Sequence, residues 1–256
     1  MNKSLIFVSY DYIEHPDWQP WTSCQYMDEL AIFRCMIRAG NLADTLLYKV
    51  LTPDERSRAD RYRRKEDQLR FIVGRMCLRL LAATYLQRSP ADILLVEGRN
   101  GKPGIKDAGN LQVNVSHAGD WVLVVVGKSS VGIDIEKVNP DLLFGDLLDQ
   151  SFAPAEQEFI RQSEDARRVF YQLWTRKEAI VKATAKGMDD DFALIPSLDG
   201  THEVASLLIG EVGTWQVDSV DVANGYVASV ARELPCGMPK FYTLESGFFE
   251  QFKSKE

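Results

Sequence analysis

Hydrophobic and polar positions alternate over several short stretches of the chain, which is the pattern of strands that bury one face. Two such stretches, at residues 111–116 and 131–136, flank a continuous apolar run at 121–126 that also predicts a strand. Because only short turns connect them, we expect an antiparallel meander. A second antiparallel set is predicted at residues 203–209, 214–220 and 225–232. Two single strands are predicted at residues 5–10 and 93–96.

Helical patterns occupy much of the remaining chain. Thr52-Pro-Asp-Glu55 is a capping box with proline at the first helical position, so a helix begins there. Longer helices are predicted at residues 65–86, 154–163 and 165–186, and Gly187 is the predicted C-cap of the last one. Residues 28–38 and 42–50 show partly helical patterns. Because strands and helices occur in blocks, the predicted fold class is α+β.

Composition places the chain among ordinary globular proteins. Of its 256 residues, 45% are hydrophobic and 26% charged. The four cysteines show no paired spacing, which is typical of reduced thiols, and none lies near a histidine, so zinc is not expected. The longest apolar run, 121–126, is too short to span a bilayer, and the N-terminus lacks the pattern of a signal peptide. We therefore expect a cytoplasmic protein that makes no membrane contact.

The net charge of −7 argues against general nucleic-acid binding, but it hides a basic segment. Only three acidic residues oppose the nine basic ones in that segment, which are Arg56, Arg58, Arg61, Arg63, Arg64, Lys65, Arg70, Arg75 and Arg79. One interpretation is a solvated helix of mixed charge. The other is a basic wall for an anionic ligand.

The strand at 131–136 carries the sharpest chemical pattern. Its period of two places Asp134 and Glu136 on the same face as Gly132, with their carboxylates roughly 7 Å apart. Like charges this close repel unless a cation or a proton lies between them. The glycine leaves room for another group to approach. The segment therefore indicates a metal site, although the polar face of a half-exposed strand would show the same alternation.

The helix at 165–186 supplies two more charged groups on one face, Glu178 and Lys182, which are four residues apart. Taken alone, they are typical of a surface ion pair, and Lys177 is expected on a solvated face. If Glu178 joins Asp134 and Glu136, the three carboxylates form an all-oxygen set suited to Mg²⁺.

Two further segments are weak signals by themselves. Ser116 and His117 are adjacent in a strand and point to opposite faces, so they do not form a nucleophile and base. The glycine-rich loop around Lys102 matches neither the phosphate-binding loop of nucleoside triphosphatases nor the dinucleotide fingerprint.

Taken together, the ordered motifs resemble the larger, monomeric Sfp-type 4′-phosphopantetheinyl transferases. The resemblance spans about residues 52–190, and it is carried by Gly101-Lys-Pro103, Asn114-Val-Ser-His117, Gly132-Ile-Asp-Ile-Glu-Lys137 and Trp174-Thr-Arg-Lys-Glu-Ala-Ile-Val-Lys182, with Arg63-Arg-Lys-Glu-Asp67, Arg70 and Lys186-Gly187. Two positions depart from the pattern: Ala118 stands where a second serine is common, and Ala185 where a glycine is common.

The resemblance implies a pseudo-twofold fold of two similar α+β halves, residues 1–130 and 131–256, each with a small antiparallel sheet and a long helix. The active site would lie in the cleft between the halves. A monomer would transfer the phosphopantetheine arm of coenzyme A to a serine of an apo acyl or peptidyl carrier protein and release adenosine 3′,5′-bisphosphate.

The resemblance also assigns roles to residues of this chain. Asp134, Glu136 and Glu178 would hold Mg²⁺, and Lys182 would contact the phosphates as a catalytic residue. The remaining coenzyme A contacts would be Arg58, Lys102, Asn114, Ser116 and His117. Glu178 would also take the serine proton, but a carboxylate that binds a metal is a poorer base, so a bound water is the alternative.

Two other functions stay open at the level of sequence. One is a non-catalytic module that binds coenzyme A or a carrier protein, and the other is an unrelated magnesium phosphohydrolase. The intact set of Asp134, Glu136, Glu178 and Lys182 argues against the first, and Lys102 and His117 against the second. The sequence does not identify the carrier protein, the pathway, acceptance of acyl-coenzyme A, or the role of residues 1–50.

Overall fold

The computed structural model of the chain describes residues 4–37 and 50–252. The chain forms two compact units, and each is assembled from three segments. The first unit consists of Met1–Pro16, Glu97–Lys102 and Ser129–Cys236. The second unit consists of Asp17–Val96, Pro103–Lys128 and Gly237–Glu256.

Strands and helices both contribute to each unit. The strands are β1 (Leu5–Ile13), β2 (Trp18–Pro20), β3 (Leu30–Met36), β4 (Leu95–Glu97), β5 (Pro103–Ile105), β6 (Gln112–Ala118), β7 (Trp121–Gly127), β8 (Val131–Lys137), β9 (Gly200–Ala205), β10 (Thr214–Val220), β11 (Tyr226–Leu234) and β12 (Lys240–Leu244). The helices are α1 (Pro53–Ala59), α2 (Lys65–Leu86), α3 (Gly145–Ser151), α4 (Pro154–Gln162), α5 (Ala166–Thr184), α6 (Ser206–Ile209) and α7 (Ser246–Glu250). This mixture confirms the α+β class.

The first unit contains a five-stranded sheet in the order β8-β11-β10-β1-β9. β1 runs parallel to β10, and the other neighbours are antiparallel. Helix α5 packs on β8, β11 and β10, and Ile180 lies in the apolar core with Val8 and Trp215. The sheet thereby holds α5 in register with β8.

The second unit contains a five-stranded sheet in the order β2-β12-β3-β7-β6. β12 runs parallel to β2 and β3, whereas β7 is antiparallel to β3 and β6. Helix α2 packs on β6 and β7, which accounts for its apolar second half. β4 and β5 form a separate two-stranded sheet.

The predicted meander of 111–136 is wrong in its third strand. β6 and β7 pair as expected, but β8 belongs to the other sheet, where it pairs with β11. Every residue of β7 is buried, and its second edge is occupied by β3, so β7 has no free edge for β8. The short turn at 127–130 connects the two sheets instead of closing a hairpin.

The predicted C-terminal set is correct for β10 and β11 but wrong for the segment 203–209. β9 ends at Ala205 and pairs with β1, and residues 206–209 form the short helix α6. β1 lies between β9 and β10 because the N-terminal strand inserts into this sheet. β9 and β10, which are consecutive in sequence, are therefore not neighbours in this sheet.

The helix predictions hold at 65–86, 154–163 and 165–186 to within two residues, and the capping box of α1 is formed. Two predictions are wrong. The described part of 28–38 contains strand β3, and α5 ends at Thr184 with Ala185 as its C-cap in the left-handed region at φ 54°. Residues 42–49 lie outside the described residues.

The pseudo-twofold relation, the halves 1–130 and 131–256 and the cleft site stay predictions. Within the described ranges, no helix combines the length and the apolar character that crossing a membrane requires.

Candidate active site

Helix α5 approaches strand β8 at Gly132, and this contact positions the charged residues of both elements. A β-carbon at Gly132 would lie 2.2 Å from the carbonyl oxygen of Ala179 and 2.3 Å from the nitrogen of Ala183. No side chain fits in that space. Gly132 therefore makes room for the helix backbone, which is the close approach that the sequence indicated.

The contact brings the β8 carboxylates near the last turns of α5. Asp134 is 3% exposed, and its Oδ1 accepts a hydrogen bond of 2.6 Å from Nζ of Lys182. Burial lowers the pKa of Lys182, but the carboxylates of Asp134 and Glu178 outweigh that effect, so its pKa rises above the ordinary value. Lys182 is thus held as a cation in a largely acidic environment.

Burial and the neighbouring carboxylates shift the pKa of the other two carboxylates, Glu136 and Glu178. Burial, together with repulsion from Asp134 and Glu178, raises the pKa of Glu136 to about 7, although Lys182 opposes the shift. Burial raises the pKa of Glu178, and the charge of Asp134 adds to the effect. Three carboxylates and one ammonium are therefore mutually close, with excess negative charge.

A divalent cation fits this donor set by its chemistry. The three side chains offer oxygen only, which suits Mg²⁺ better than zinc or copper. A cation would also relieve the repulsion that raises the pKa of Glu136 and Glu178. Within residues 4–37 and 50–252, however, no three histidine, cysteine or acidic side chains are already arranged as a metal cage.

Lys177, which was expected on a solvated face, is fully buried. Its Nζ donates to the carbonyl oxygens of Ser151 and Ala193, each at 2.9 Å, and to Oε2 of Glu156 at 2.8 Å. The face of α5 next to Glu178 is therefore a buried ionic contact with α4. Helical periodicity gave no indication of it, because Glu156 lies on a different helix.

The loop of residues 98–102 contacts the C-terminal end of α5. Lys102 donates from Nζ to the carbonyl oxygen of Ala183 at 2.6 Å, and burial lowers its pKa to about 8. Asn100 donates from Nδ2 to the carbonyl oxygens of Ala185, at 3.0 Å, and of Lys186. The family motif predicted ligand binding for Lys102 and gave no indication of Asn100.

The remaining predicted contacts belong to the second unit. Asn114 and Ser116 are buried on one face of β6, whereas His117 is exposed on the other. That second face lies over α2, where a β-carbon on Gly74 would be 3.9 Å from Cδ2 of His117. Strand geometry thus separates Ser116 from His117, as the sequence predicted.

Basic residues of the second unit have different environments. The guanidinium of Arg58 lies 5.3 Å from the centre of the Phe71 ring on an exposed surface. Arg79 is buried, and it donates to the Ile93 carbonyl oxygen and, at 2.7 Å, to Glu55. The basic segment is therefore only partly available to a ligand, since Arg79 serves the core.

Comparison with known families and proteins gives the class. The 4′-phosphopantetheinyl transferase superfamily model matches residues 130–231, which include Asp134, Glu136, Glu178 and Lys182. The model of a 4′-phosphopantetheinyl transferase N-terminal region matches residues 43–129. The two matches adjoin along the chain, and the N-terminal region comes first.

Individual relatives agree. HetI of Nostoc sp., a 4′-phosphopantetheinyl transferase, is 32% identical over 225 residues, which are 84% of this chain and 92% of the relative. Sfp of Bacillus subtilis is 28% identical over 201 residues, 77% of this chain and 88% of Sfp. A putative transferase of Synechocystis sp. is 35% identical, but the match spans only 58% of that relative and 54% of this chain.

The chain belongs to the 4′-phosphopantetheinyl transferase superfamily, in its Sfp-like branch. The relatives that establish the family are named as 4′-phosphopantetheinyl transferases. A non-catalytic binding module is not favoured.

Proposed function

We propose that this protein transfers the 4′-phosphopantetheine moiety of coenzyme A to a serine hydroxyl of an apo acyl or peptidyl carrier protein. The serine oxygen forms a bond to the phosphorus that carries the pantetheine arm. The bond from that phosphorus to the bridging oxygen breaks, and adenosine 3′,5′-bisphosphate leaves. The serine proton passes to a base, so no other co-reactant is required.

One observation carries the proposal: the ammonium of Lys182 lies 2.6 Å from Oδ1 of Asp134, and the charges of Glu178 and Glu136 also act on it. The transferred phosphate is already negative, so catalysis requires cationic groups around it. We propose that Lys182 donates to the phosphate oxygens and stabilises the leaving bisphosphate. Its raised pKa keeps it protonated at neutral pH.

We propose that Asp134, Glu136 and Glu178 together hold Mg²⁺. Magnesium bound there would neutralise charge on the pyrophosphate of coenzyme A. The raised pKa of Glu136 supports this assignment, because it marks negative charge that the neighbouring side chains leave poorly compensated.

We propose that Glu178 receives the serine proton. Burial raises its pKa toward the neutral range in which a carboxylate is an efficient base. Because a bound cation would lower that pKa again, a water held at Glu178 is the alternative proton acceptor. Replacing Glu178 with glutamine would remove the acceptor in either case.

The contacts to the rest of coenzyme A are proposed from the family motif. Lys102 would contact the 3′-phosphoadenosine end, with Arg58, Asn114, Ser116 and His117 of the second unit. The ammonium of Lys102 supports this assignment, since one bond to Ala183 leaves two of its three N–H groups for a phosphate. We further propose that the protein acts as a cytoplasmic monomer.

The test is a transfer assay with coenzyme A, Mg²⁺ and several purified apo carrier proteins, followed by intact mass spectrometry of the carrier. We expect the carrier to gain the mass of one phosphopantetheine and adenosine 3′,5′-bisphosphate to appear in equal amount. Hydrolysis of coenzyme A without a gain in carrier mass would indicate a phosphohydrolase. Binding without turnover on every carrier would indicate a binding module and would refute the proposal.

A further inference from the structure

Helix α5 ends without a glycine at the position where its backbone turns left-handed. Ala185 occupies that position at φ 54°, and the final turn is closed by hydrogen bonds from Ala185 to Lys182 and from Lys186 to Val181. A residue with a β-carbon is strained in this conformation. The end of the helix therefore needs support from outside its own backbone.

The loop at 98–102 provides that support. The last carbonyl groups of a helix have no partner within it. Here the amide of Asn100 donates to the carbonyl oxygens of Ala185 and Lys186, and Lys102 donates to that of Ala183. Three carbonyl groups at the end of α5 are thus bound by two side chains of one short loop.

The geometry of the loop is suited to this contact. Asn100 itself is left-handed, at φ 50° and ψ 34°, which asparagine tolerates better than most residues. A β-carbon on Gly187 would lie 3.2 Å from Nδ2 of Asn100, so the glycine lets the amide come close. Gly98 and Lys102 are joined by a backbone hydrogen bond of 2.8 Å, which closes the loop beneath Asn100.

Because Lys182 lies in this last turn, we infer that Asn100 is a positioning residue for transfer, acting through the C-terminal end of α5. The inference rests on the proposed function of Lys182. Helix ends fray when their carbonyl groups lose partners. Displacement of about 1 Å in a catalytic group is enough to cost a large factor in rate. Loss of the Asn100 amide is therefore expected to lower kcat more than it weakens coenzyme A binding.

Two variants separate the effect of the Asn100 side-chain amide from the effect of its backbone conformation. Asn100→Gly keeps the left-handed conformation and removes the amide. Asn100→Asp keeps the size but replaces the donor with a carboxylate that repels the carbonyl oxygens. We expect each to lower kcat by about tenfold, with KM for coenzyme A changed by less than about twofold.

The control is Asp165→Ala at the opposite end of the same helix. The Asp165 carboxylate accepts from the nitrogen of Arg168 at 3.0 Å, so this variant also loses a helix cap. It should lower Tm by an amount similar to Asn100→Gly and leave kcat unchanged. Amide hydrogen exchange of residues 183–187 should accelerate in both Asn100 variants and stay unchanged in Asp165→Ala.

If the wild-type protein is active and the kcat of Asn100→Gly is no lower than that of Asp165→Ala, the inference is overturned. An inactive wild-type protein would instead refute the proposed function. Hydrogen exchange would then still show whether Asn100 fixes the end of the helix.

Discussion

At the scale of single residues, the protonation of Lys102 makes a direct prediction. Burial lowers its pKa to about 8 in the free protein, so the side chain loses its charge as the pH rises above that value. A phosphate prefers the charged form. Binding above pH 8 must therefore include uptake of a proton, and affinity must fall as the pH rises.

We expect the Kd for adenosine 3′,5′-bisphosphate to increase above pH 8 by up to about tenfold per pH unit, the limit for one linked proton. Isothermal titration calorimetry between about pH 7.5 and 9.5 measures this, in a range where the phosphates stay ionised. Lys102→Arg should flatten the dependence, because arginine remains charged. If Lys102→Arg showed the same dependence of Kd on pH as the wild-type protein, Lys102 would not be the group that binds the phosphate.

Some residues of the candidate site could be predicted from the sequence, and others could not. Asp134 and Glu136 share a face by strand periodicity, and Glu178 and Lys182 by helix periodicity, and the structure brings these four together. Asn100 was missed because the carbonyl groups it binds lie 85 and 86 residues away. Local spacing identifies residues on one element but not the partner that another segment supplies.

The same limit explains the error at Lys177. Its position on α5 is compatible with a solvated face, and only the packing of α4 buries it against Glu156. Removal of one partner from such a buried pair leaves an uncompensated charge. Periodicity cannot report a partner that becomes a neighbour only after folding.

At the scale of elements, the contact between β8 and α5 depends on the absence of a side chain at Gly132. We expect Gly132→Ala to lower the free energy of unfolding by about 3 kcal/mol, because its methyl group overlaps the backbone of Ala179 and Ala183. Transfer should fall as well, since the helix that carries Glu178 must move. Urea unfolding followed by circular dichroism measures the loss.

Gly145→Ala is the matched control, because a β-carbon at Gly145 would have no atom of the other described residues within 4 Å, its chain neighbours aside. It should keep the free energy of unfolding within about 0.5 kcal/mol of the wild-type value. If Gly132→Ala were equally stable, the close packing of α5 on β8 would be wrong.

The secondary structure was largely predictable, whereas the pairing of strands was predictable only for β6 with β7 and for β10 with β11. Helices α2, α4 and α5 follow from apolar periodicity, and α1 follows from its capping box. The turn between β7 and β8 looks like a hairpin in sequence, yet β7 pairs with β3 and β8 pairs with β11. Strand pairing over a long sequence separation has no local signature, which is why the meander was predicted incorrectly.

At the scale of the whole molecule, charge bears on the partner. The chain has a net charge of −7, which matters for any carrier protein that is itself acidic. Long-range attraction between two acidic proteins is weak or repulsive, so docking depends on local basic groups or on apolar contact.

We therefore expect kcat/KM for the carrier to stay level or rise when NaCl is increased from about 20 to about 200 mM, because salt screens repulsion. Stopped samples analysed by intact mass spectrometry give these rates. Salt can also weaken the binding of the coenzyme A phosphates. KM for coenzyme A, measured at the same salt concentrations, shows how large that second effect is. A steep fall in kcat/KM for the carrier at unchanged KM for coenzyme A would contradict apolar docking.

The family of the whole molecule could be predicted from its motifs, whereas the sheets that its terminal strands join could not. β1 pairs with β10 in the first unit, and β12 pairs with β3 in the second unit. The division into the halves 1–130 and 131–256 stays a prediction. Motif order carries no information on where such terminal strands insert.

The central claim is that the carboxylates of β8 and the end of α5 form the transfer site, and Asp134 lies at its centre. The most direct measurement is intact mass spectrometry of an apo carrier after incubation with coenzyme A, Mg²⁺ and Asp134→Ala. Asp149→Ala, which removes an exposed carboxylate from the same unit, is the control. We predict that Asp134→Ala retains the wild-type circular dichroism spectrum but adds no phosphopantetheine, whereas Asp149→Ala modifies the carrier at the wild-type rate. Wild-type transfer by Asp134→Ala would contradict the account.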